Sequence, residues 1–356
     1  MVGTVSIWYN FLAYNAVAAV ILTRSSLHLS LLMSFTTIFI AFIARPLGAY
    51  VFGLIGDKFS SKLSLIITLT VMGMSTLLIS MTTRAWYTAY ELLMLRIAQG
   101  MALGGEWAAA SLLAYESVRG GVGRFLTSLI QLGVPLGMLL TAFAVIQWRL
   151  ALLVGSLLSF SSAAMILVFA RSAKPIKWRP FLRIEDFKRI LKAVGVKFGE
   201  SSSFYVYTSA FLIYINVHEV PGLILVAATS LLVFTLLTSI ALTRASPAST
   251  LMIGYIVFTL INTLMFRLQP LLLFILFGLA DAIAYTPQSL YLVSLFRSDI
   301  RHVGAGVSYH IASSLGGLMT YLVSLLISLY GLRVGFVAIP TLLAASCITS
   351  IIALII

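Results

Sequence analysis

The sequence predicts an all-α membrane protein with twelve transmembrane helices arranged as two bundles of six. Hydrophobic residues make up 61% of the 356 residues and charged residues only 9%, whereas soluble domains carry about 25% charged residues. Apolar runs of spanning length recur along the chain, and one basic segment divides it near the middle. A chain of this composition must expose apolar surface to lipid, because it has too few polar residues to cover that surface.

Apolar runs between polar breaks define the candidate spans. They cover approximately residues 3–23, 30–55, 63–82, 87–116, 125–146, 149–170, 193–216, 221–243, 249–268, 270–296, 304–329 and 333–356. The breaks are short and carry charges or turn residues, as at Asp57 and Lys58. The first run, from Val5 to Thr23, is longer than the apolar core of a signal peptide, so we expect it to be a span.

Positive charge is distributed unevenly between alternate loops. One set of loops contains 15 of the 23 Lys and Arg residues, eight of them between Arg171 and Lys192, and the other set contains five. Cytoplasmic loops of membrane proteins carry the excess of Lys and Arg. The sequence therefore predicts a multi-pass protein of the cell membrane with both termini in the cytoplasm. This placement explains the net charge of +13 without a nucleic-acid partner.

The basic segment also predicts the domain organisation: an N-terminal six-helix bundle over 1–171, a cytoplasmic connector over 172–192 and a C-terminal bundle over 193–356. Apolar residues around Phe187 recur at helical spacing with basic residues between them. This pattern predicts an interfacial helix on an anionic leaflet, and a target site for a regulatory protein is the alternative. Two six-helix halves are typical of transporters with a solute site near the membrane midplane.

Four motifs lie along the chain, and the first two in succession form a specific combination. They read RPLG-x3-FG-x2-GD over 45–57, R-x2-QG-x3-GGEW over 96–107, KFGE over 197–200 and GAGVSY over 304–309. Together they resemble the metabolite:proton symporter family of the major facilitator superfamily, over nearly the whole chain. The resemblance implies the major facilitator fold and a secondary active transporter that moves an organic acid or zwitterion by alternating access with proton symport.

The first span departs from the family pattern. The family's Glu-Trp-Tyr-Asp-Phe is Ile7 to Phe11 here, with Asn10 in place of the second acid. The acid that the family places near the end of span ten is also absent. These losses favour an uncoupled facilitator or an exporter on the same fold as one alternative. A transporter-like sensor that binds solute without carrying it is the second.

Polar side chains within spans are candidates for solute contact, because a charge there costs a few kcal/mol or more. Arg96, Gln99 and Glu106 fall on one face of span four, and a guanidinium pairs well with a carboxylate. For Arg96, a buried pair that holds neighbouring helices together is an equally good interpretation. The candidate substrate-binding residues are Asn10, Tyr14, Arg96, Gln99, Gln131, Tyr205 and Gln288.

Four titratable residues within spans are candidates for proton coupling: Glu106, Glu200, Asp281 and His310. Each also has a structural interpretation. Glu106 follows two glycines that suggest close helix packing, and Lys197 can pair with Glu200 three residues later. Asp281 could form an ion pair with a basic residue of the same half. A single histidine in a span is more often a helix contact than a proton switch.

A third group of residues is expected to control gating. The resemblance implies that Asp57 bonds a neighbouring helix end and an arginine, for which Arg119 and Arg124 are candidates, and so stabilises the outward-open state. An ordinary tight turn is the alternative. Glycines and a proline in span five predict a flexible point, with a simple kink as the alternative. The gating candidates are Arg45, Asp57, Lys58, Arg119, Arg124, Gly133, Pro135 and Gly137.

Other chemistries are not indicated by the sequence. There is no Gly-rich phosphate loop, HExxH or CxxC motif, and Cys347 is the one cysteine, so the chain can form no internal disulfide. We expect no enzyme activity, no ATP-driven pumping, no metal and no cofactor. The expected partners are a small-molecule substrate, protons and the lipid bilayer, for a protein that acts as a monomer.

Overall fold

The described part of the chain is helical. The computed structural model describes residues 1–22, 27–82, 88–141, 147–171, 183–216 and 218–356. The α-helices are α1 (Val2–Leu22), α2 (Leu27–Lys58), α3 (Ser61–Met81), α4 (Thr88–Ser117), α5 (Gly120–Ser128), α6 (Gly133–Thr141), α7 (Trp148–Phe169), α8 (Ile184–Tyr207), α9 (Val220–Ala241), α10 (Pro247–Leu264), α11 (Pro270–Tyr285), α12 (Gln288–Ser294), α13 (Arg301–Tyr330) and α14 (Leu332–Ile355).

These helices follow the predicted spans in order, with two spans divided into α5 and α6 and into α11 and α12. Within the described ranges, nine helical segments are long and apolar enough to cross a membrane. Large apolar side chains such as Phe39, Leu157 and Val337 are more than half exposed, as expected for surfaces that face lipid. The predicted all-α membrane fold is confirmed.

Span five is interrupted shortly before its proline. A 3₁₀ turn over Leu129–Leu132 separates α5 from α6, and Pro135 follows in the first turn of α6. Proline lacks the N–H that would bond the carbonyl of Gln131 four residues earlier, so the α-helical ladder is weakened there. A Cβ on Gly137 would lie 2.8 Å from Cβ of Trp8, so this glycine permits close approach to α1.

Span ten is interrupted in the same way. Helix α11 ends at Tyr285, α12 begins at Gln288, and Pro287 stands at the N-cap of α12. The predicted span over 270–296 was uninterrupted, although Pro287 lies within it. The break separates Asp281 from Gln288.

Helices α2 and α4 pack with their backbones close together. A Cβ on Gly104 would overlap the carbonyl oxygen of Arg45, and one on Gly100 would overlap the carbonyl oxygen of Ala41. Small residues at such positions allow helices in membranes to approach closely. This packing brings the two intramembrane arginines, Arg45 on α2 and Arg96 on α4, onto neighbouring helices.

The predicted interfacial segment forms the first turns of α8, which continues without interruption to Tyr207. The side chains of Ile184, Phe187 and Leu191 are 78%, 54% and 71% exposed, so an apolar strip remains uncovered beside the basic residues. Part of the predicted connector, residues 172–182, lies outside the described residues. The interfacial placement stays a prediction.

Two compact units are distinguished by their internal contacts. Unit 1 contains Met1–Ser117, Leu136–Phe181 and Arg297–Val307, and unit 2 contains Val118–Pro135, Leu182–Phe296 and Ser308–Ile356. The units differ from the predicted bundles mainly in two segments. Residues 118–135 belong to unit 2, and residues 297–307 belong to unit 1. The predicted domain boundaries stay a prediction.

Candidate functional site

In unit 1, the guanidinium of Arg96 is fully buried and hydrogen-bonded on three sides. Its Nη1 donates to Oε1 of Gln99 at 2.6 Å, its Nη2 to Oδ1 of Asn15 at 2.9 Å and its Nε to the carbonyl oxygen of Thr37 at 3.2 Å. Gln99 is held in turn, because its Nε2 donates to Oγ1 of Thr76 at 2.8 Å. Within the described residues, every hydrogen-bond partner of Arg96 is electrically neutral.

Aromatic rings cover the faces of both buried arginines. The guanidinium of Arg96 lies 4.1 Å from the ring centroid of Tyr14 and 4.7 Å from that of Phe11. The guanidinium of Arg45 lies 4.4 Å from the Phe11 centroid and 4.0 Å from that of Phe42. Cation–π contacts stabilise a cation more strongly when water is excluded. Unit 1 therefore holds two buried positive charges that share one phenyl ring.

Tyr14, Arg96 and Gln99, which were predicted to bind solute, are therefore brought together. The Tyr14 hydroxyl donates to Oγ1 of Thr37 at 3.0 Å, so it shares that residue with Arg96. We name Tyr14, Asn15, Thr37, Arg96 and Gln99 the Arg96 cluster. Asn15 was missed by the sequence analysis, although it is a polar residue beside Tyr14 in span one.

Asn10 is held against α7. Its Nδ2 donates to the carbonyl oxygen of Gly155 at 2.9 Å and to Oγ of Ser159 at 2.8 Å. The side chain is fully buried, and its Oδ1 has no hydrogen-bond partner among the described residues. The amide donor is thus used for a helix contact, and the oxygen is left as a free acceptor. Its predicted contact with solute stays a prediction.

Glu106 is a second buried group with one oxygen unused. Its Oε1 accepts a hydrogen bond from Oγ1 of Thr4 at 2.6 Å. Its Oε2 has no hydrogen-bond partner in the described part of the chain, and the residue is fully buried. A carboxyl group in this setting can hold a proton on the free oxygen.

In unit 2, the side chains of Lys197, Glu200 and Gln288 all contact one another. Nζ of Lys197 lies 2.5 Å from Oε2 of Glu200 and donates to Oε1 of Gln288 at 3.0 Å. Nε2 of Gln288 donates to Oε2 of Glu200 at 3.2 Å. All three side chains are buried. The expected pairing of Lys197 with Glu200 is present, and Gln288 from α12 joins it.

Two tyrosines complete this group. Nζ of Lys197 lies 3.9 Å from the ring centroid of Tyr309 and 5.2 Å from that of Tyr285. The two hydroxyls are 3.1 Å apart, and Nε2 of Gln131 donates to the carbonyl oxygen of Tyr285 at 2.9 Å. Gln131 is thus connected to the group through the backbone of α11.

Asp281 lies one turn before Tyr285 on α11, and it is 1% exposed. Among the described residues, Glu200 and Lys197 interact with it electrostatically. Its Oδ1 has no hydrogen-bond partner within the described ranges. We name Lys197, Glu200, Asp281, Gln288 and Tyr309 the Lys197 cluster.

Tyr205 and His310 make other contacts in unit 2. The Tyr205 ring packs edge-on against Phe204, with centroids 5.3 Å apart. The ring of His310 is buried on α13, with its centroid 4.9 Å from that of the preceding Tyr309. His310 therefore borders the Lys197 cluster, and the roles predicted for both residues stay predictions.

Asp57 caps a helix in unit 1. Its Oδ1 accepts the backbone N–H of His302 at 2.9 Å, and its Oδ2 accepts that of Val303 at 3.0 Å. Nδ1 of His302 also lies 3.1 Å from Oδ1. Helix α13 begins at Arg301, so the carboxylate meets the unbonded N–H groups and the positive end of the helix dipole. His302 was not among the predicted site residues, although the sequence shows this titratable side chain directly after Arg301.

Three other gating candidates make separate local contacts. Lys58 is exposed, with Nζ 5.3 Å from the ring centroid of Phe59. Arg119 is exposed at the N-cap of α5. The guanidinium of Arg124 donates to the carbonyl oxygen of Ala245. For Asp57, the described partners are backbone groups and the imidazole at the start of α13, and the arginine partner that the resemblance implied stays a prediction.

Comparison with known sequences identifies a matching family and several similar proteins. A family model described as Major Facilitator Superfamily matches residues 2–320. The chain is 38% identical over 148 residues to the shikimate transporter of Escherichia coli, a match that covers 39% of this chain and only 34% of that transporter. It is 28% identical, over an alignment of 394 residues, to a putative metabolite transport protein of Haemophilus influenzae, covering 94% of this chain and 88% of that protein.

A solved structure shares the fold. The proton:xylose symporter XylE, bound to 6-bromo-6-deoxy-D-glucose, superposes with a TM-score of 0.77 and covers 99% of this chain and 92% of the symporter. The two sequences are 13% identical, so this likeness concerns the arrangement of helices alone.

Proposed function

Because the chain belongs to the major facilitator superfamily and is therefore a multi-pass membrane transporter, we propose that it is a secondary active transporter for a small carboxylate-bearing metabolite. The substrate class comprises organic acids and zwitterions. Transport proceeds by alternating access across the plasma membrane, in symport with protons. The observation that carries the substrate class is the buried Arg96, whose hydrogen-bond partners in the described chain are all neutral.

A buried guanidinium that has no counter-ion among the described residues is costly in a membrane protein, so its retention calls for an explanation. The carbonyl and amide oxygens around Arg96 satisfy hydrogen bonds but do not neutralise its charge. A carboxylate would do so, because its two oxygens match the paired N–H groups of a guanidinium. Lys197 is a weaker candidate for this contact, since Glu200 already lies 2.5 Å from its ammonium.

A purely structural role for Arg96 makes a different prediction. The Arg96 cluster would then hold α1, α2 and α4 together, and the charge itself would not matter for ligand recognition. Uptake would follow the folded fraction of each variant and would not depend on whether the solute is an anion. Varying the charge of the ligand therefore distinguishes the two interpretations.

The test compares carboxylates with analogues in which the carboxyl group carries no charge. Purified protein is screened by thermal shift against metabolite carboxylates and their methyl esters, and each carboxylate that stabilises the protein is assayed for uptake into liposomes. We expect carboxylates to bind and esters not to bind. Arg96→Gln should weaken binding roughly 10- to 150-fold, the loss of a charged hydrogen bond worth about 1.5–3 kcal/mol.

Arg333→Gln is the matched control, since Arg333 is exposed at the start of α14. It removes the same charge and should leave affinity unchanged. Arg96→Lys keeps the charge but loses the forked geometry, so it should bind with intermediate affinity. Equal affinity of the wild-type protein and Arg96→Gln for the same carboxylate would refute the assignment.

Proton symport is supported by buried carboxyl groups in both units, namely Glu106, Glu200 and Asp281. An uncoupled facilitator is the second candidate. It is favoured by Asn10, an amide that cannot release a proton and whose donor is occupied by Gly155 and Ser159. Accumulation driven by an inward proton gradient supports symport, whereas uptake that only equilibrates the solute and ignores a protonophore supports the facilitator.

Two substitutions refine the proton test in unit 1 and unit 2. Glu106→Gln and Glu200→Gln each remove one buried titratable group while keeping a hydrogen-bonding amide. If gradient-driven uptake and its pH dependence survive both changes, neither residue carries the transported proton.

A further inference from the structure

Backbone carbonyl groups at the break in span ten are bound by side chains. Nε2 of Gln288 donates to the carbonyl oxygen of Ala284 at 3.0 Å, and Oγ of Ser289 donates to that of Thr286 at 3.2 Å. The last carbonyls of a helix have no donor within that helix, and buried carbonyls need other partners. The end of α11 is therefore stabilised by side-chain donors from the first residues of α12.

The carbonyl between these two is bound from span five. Nε2 of Gln131 donates to the carbonyl oxygen of Tyr285, the last residue of α11, at 2.9 Å. Gln131 is fully buried and lies in the 3₁₀ turn over Leu129–Leu132 that interrupts span five. Four residues later, Pro135 lacks the N–H that would bond the carbonyl of Gln131. One side chain thus joins the irregular backbone of span five to the break in span ten.

Tyr285 also connects this break to the Lys197 cluster. Its hydroxyl lies 3.1 Å from that of Tyr309, whose ring centroid is 3.9 Å from Nζ of Lys197. Gln288, which begins α12, donates to Oε2 of Glu200 at 3.2 Å. A movement at the break therefore displaces groups that contact both members of the ion pair.

The bond between Gln131 and Tyr285 disfavours movement of one span without the other. A proline permits a helix to bend, and Pro287 lies just beyond Tyr285. If span ten alone bent there, the amide and the carbonyl would separate beyond hydrogen-bond distance, about 3.5 Å. Two buried polar groups would then lose this contact, which disfavours such an arrangement roughly fivefold or more. If both spans bend together, the bond is kept.

We propose that Gln131 is a positioning residue that makes the breaks in spans five and ten change shape together during transport. Its amide holds the Tyr285 carbonyl while both spans bend, so the turn before Pro135 and the break at Pro287 act as one hinge. This role is separate from contact with the solute. It depends on neither the proposed carboxylate substrate nor the proposed symport.

Hydrogen–deuterium exchange of the full-length protein in lipid nanodiscs tests this proposal without any solute. Pro287→Ala supplies the missing N–H and should slow exchange in span ten, over 284–290, roughly two- to tenfold. If Gln131 couples the breaks, exchange over 128–134 should slow as well. Gln131→Met keeps a side chain of similar length but has no amide. In that background Pro287→Ala should slow exchange over 284–290 only.

Gln269→Met is the matched control, because Gln269 is an exposed glutamine at the N-cap of α11. In this background the effect of Pro287→Ala on 128–134 should persist. An effect that is equally strong in Gln131→Met, or one that is confined to 284–290 when Gln131 is present, overturns the proposal.

Gln131→Glu decides if Gln131→Met misfolds. The carboxyl group of this variant donates a hydrogen bond when it is protonated and cannot donate when it is ionised. We expect Pro287→Ala to affect 128–134 in acid solution and not in alkaline solution, with each value compared with wild type at the same pH. An effect that is the same at both pH values overturns the proposal, because a side chain that only fills space would behave in this way.

Counterflow in liposomes tests the consequence for transport, with the carboxylate that the thermal-shift screen identifies. Gln131→Met should lower the maximal rate roughly two- to tenfold and leave the affinity within about twofold, because the breaks then move independently. An unchanged maximal rate overturns the role in transport. If no carboxylate is transported, the proposed function fails, while hydrogen exchange still decides whether Gln131 couples the two breaks.

Discussion

The contact of Asp57 with the start of α13 allows a quantitative prediction. The side chain of Asp57 is 1% exposed, and its two oxygens accept the N–H groups of His302 and Val303 at 2.9 and 3.0 Å. In Asp57→Asn one carboxylate oxygen becomes an NH₂ group. This group is a donor and cannot accept the backbone N–H that the oxygen accepted, so one hydrogen bond is lost. The negative charge that complements the helix dipole is lost as well. A hydrogen bond to a charged group contributes about 1.5–3 kcal/mol, and the dipole term about 0.3–1 kcal/mol.

We take a loss of about 2 kcal/mol, which changes an equilibrium constant roughly 30-fold. If the conformation that contains this contact makes up about half of the molecules, its share falls to about 3%. Every transport cycle must pass through both conformations, so exchange should slow about tenfold or more. Solute that binds both conformations should keep its affinity within about threefold.

The assay combines counterflow in liposomes with ligand affinity from thermal shift. Glu116→Gln is the control, because Glu116 is an exposed carboxylate that accepts a hydrogen bond from Ser61 at 3.0 Å. It should change neither exchange nor affinity. A large loss of affinity in Asp57→Asn, with exchange unchanged at saturating solute, would refute the gating role.

Three further predictions concern packing, flexibility and orientation. Gly104→Val should abolish folded protein in detergent, because a Cβ at this position overlaps the backbone of α2. Gly222→Ala should raise the free energy of unfolding by up to about 1 kcal/mol in thermal unfolding, because an added Cβ there meets no atom within 4 Å. Pro135→Ala should restore a helical hydrogen bond and slow counterflow without lowering the melting temperature; unchanged exchange would argue for a simple kink. An impermeant maleimide should label Arg333→Cys on intact cells and Lys188→Cys only after permeabilisation, and the reverse pattern would invert the proposed topology.

The sequence was sufficient to predict the helices that cross the membrane. The predicted spans 149–170 and 221–243 correspond to α7 (Trp148–Phe169) and α9 (Val220–Ala241). This agreement has a simple cause, because each span must satisfy its own backbone hydrogen bonds and cover the thickness of the bilayer. Both conditions depend on local composition and length, which can be read along the chain.

Contacts within one helix face were also accessible from spacing. Arg96 and Gln99 are three residues apart and bonded, and so are Lys197 and Glu200. Residues three or four apart on a helix are neighbours whatever surrounds the helix. The spacing therefore predicted the pair of Lys197 with Glu200, and for Arg96 and Gln99 it predicted a shared helix face.

Tertiary structure alone decided which side chains meet across helices. Asp57 and His302 are 245 positions apart, and Lys197 and Gln288 are 91 apart. The pattern of one helix shows which face is polar but not which neighbour that face meets, since this depends on how all the helices pack. For the same reason, only the folded chain shows that Gln288 joins the pair formed by Lys197 and Glu200, and that the buried Oδ1 of Asp281 has no hydrogen-bond partner among the described residues. Charge balance in an apolar interior is a property of three-dimensional neighbours, and a linear sequence does not contain it.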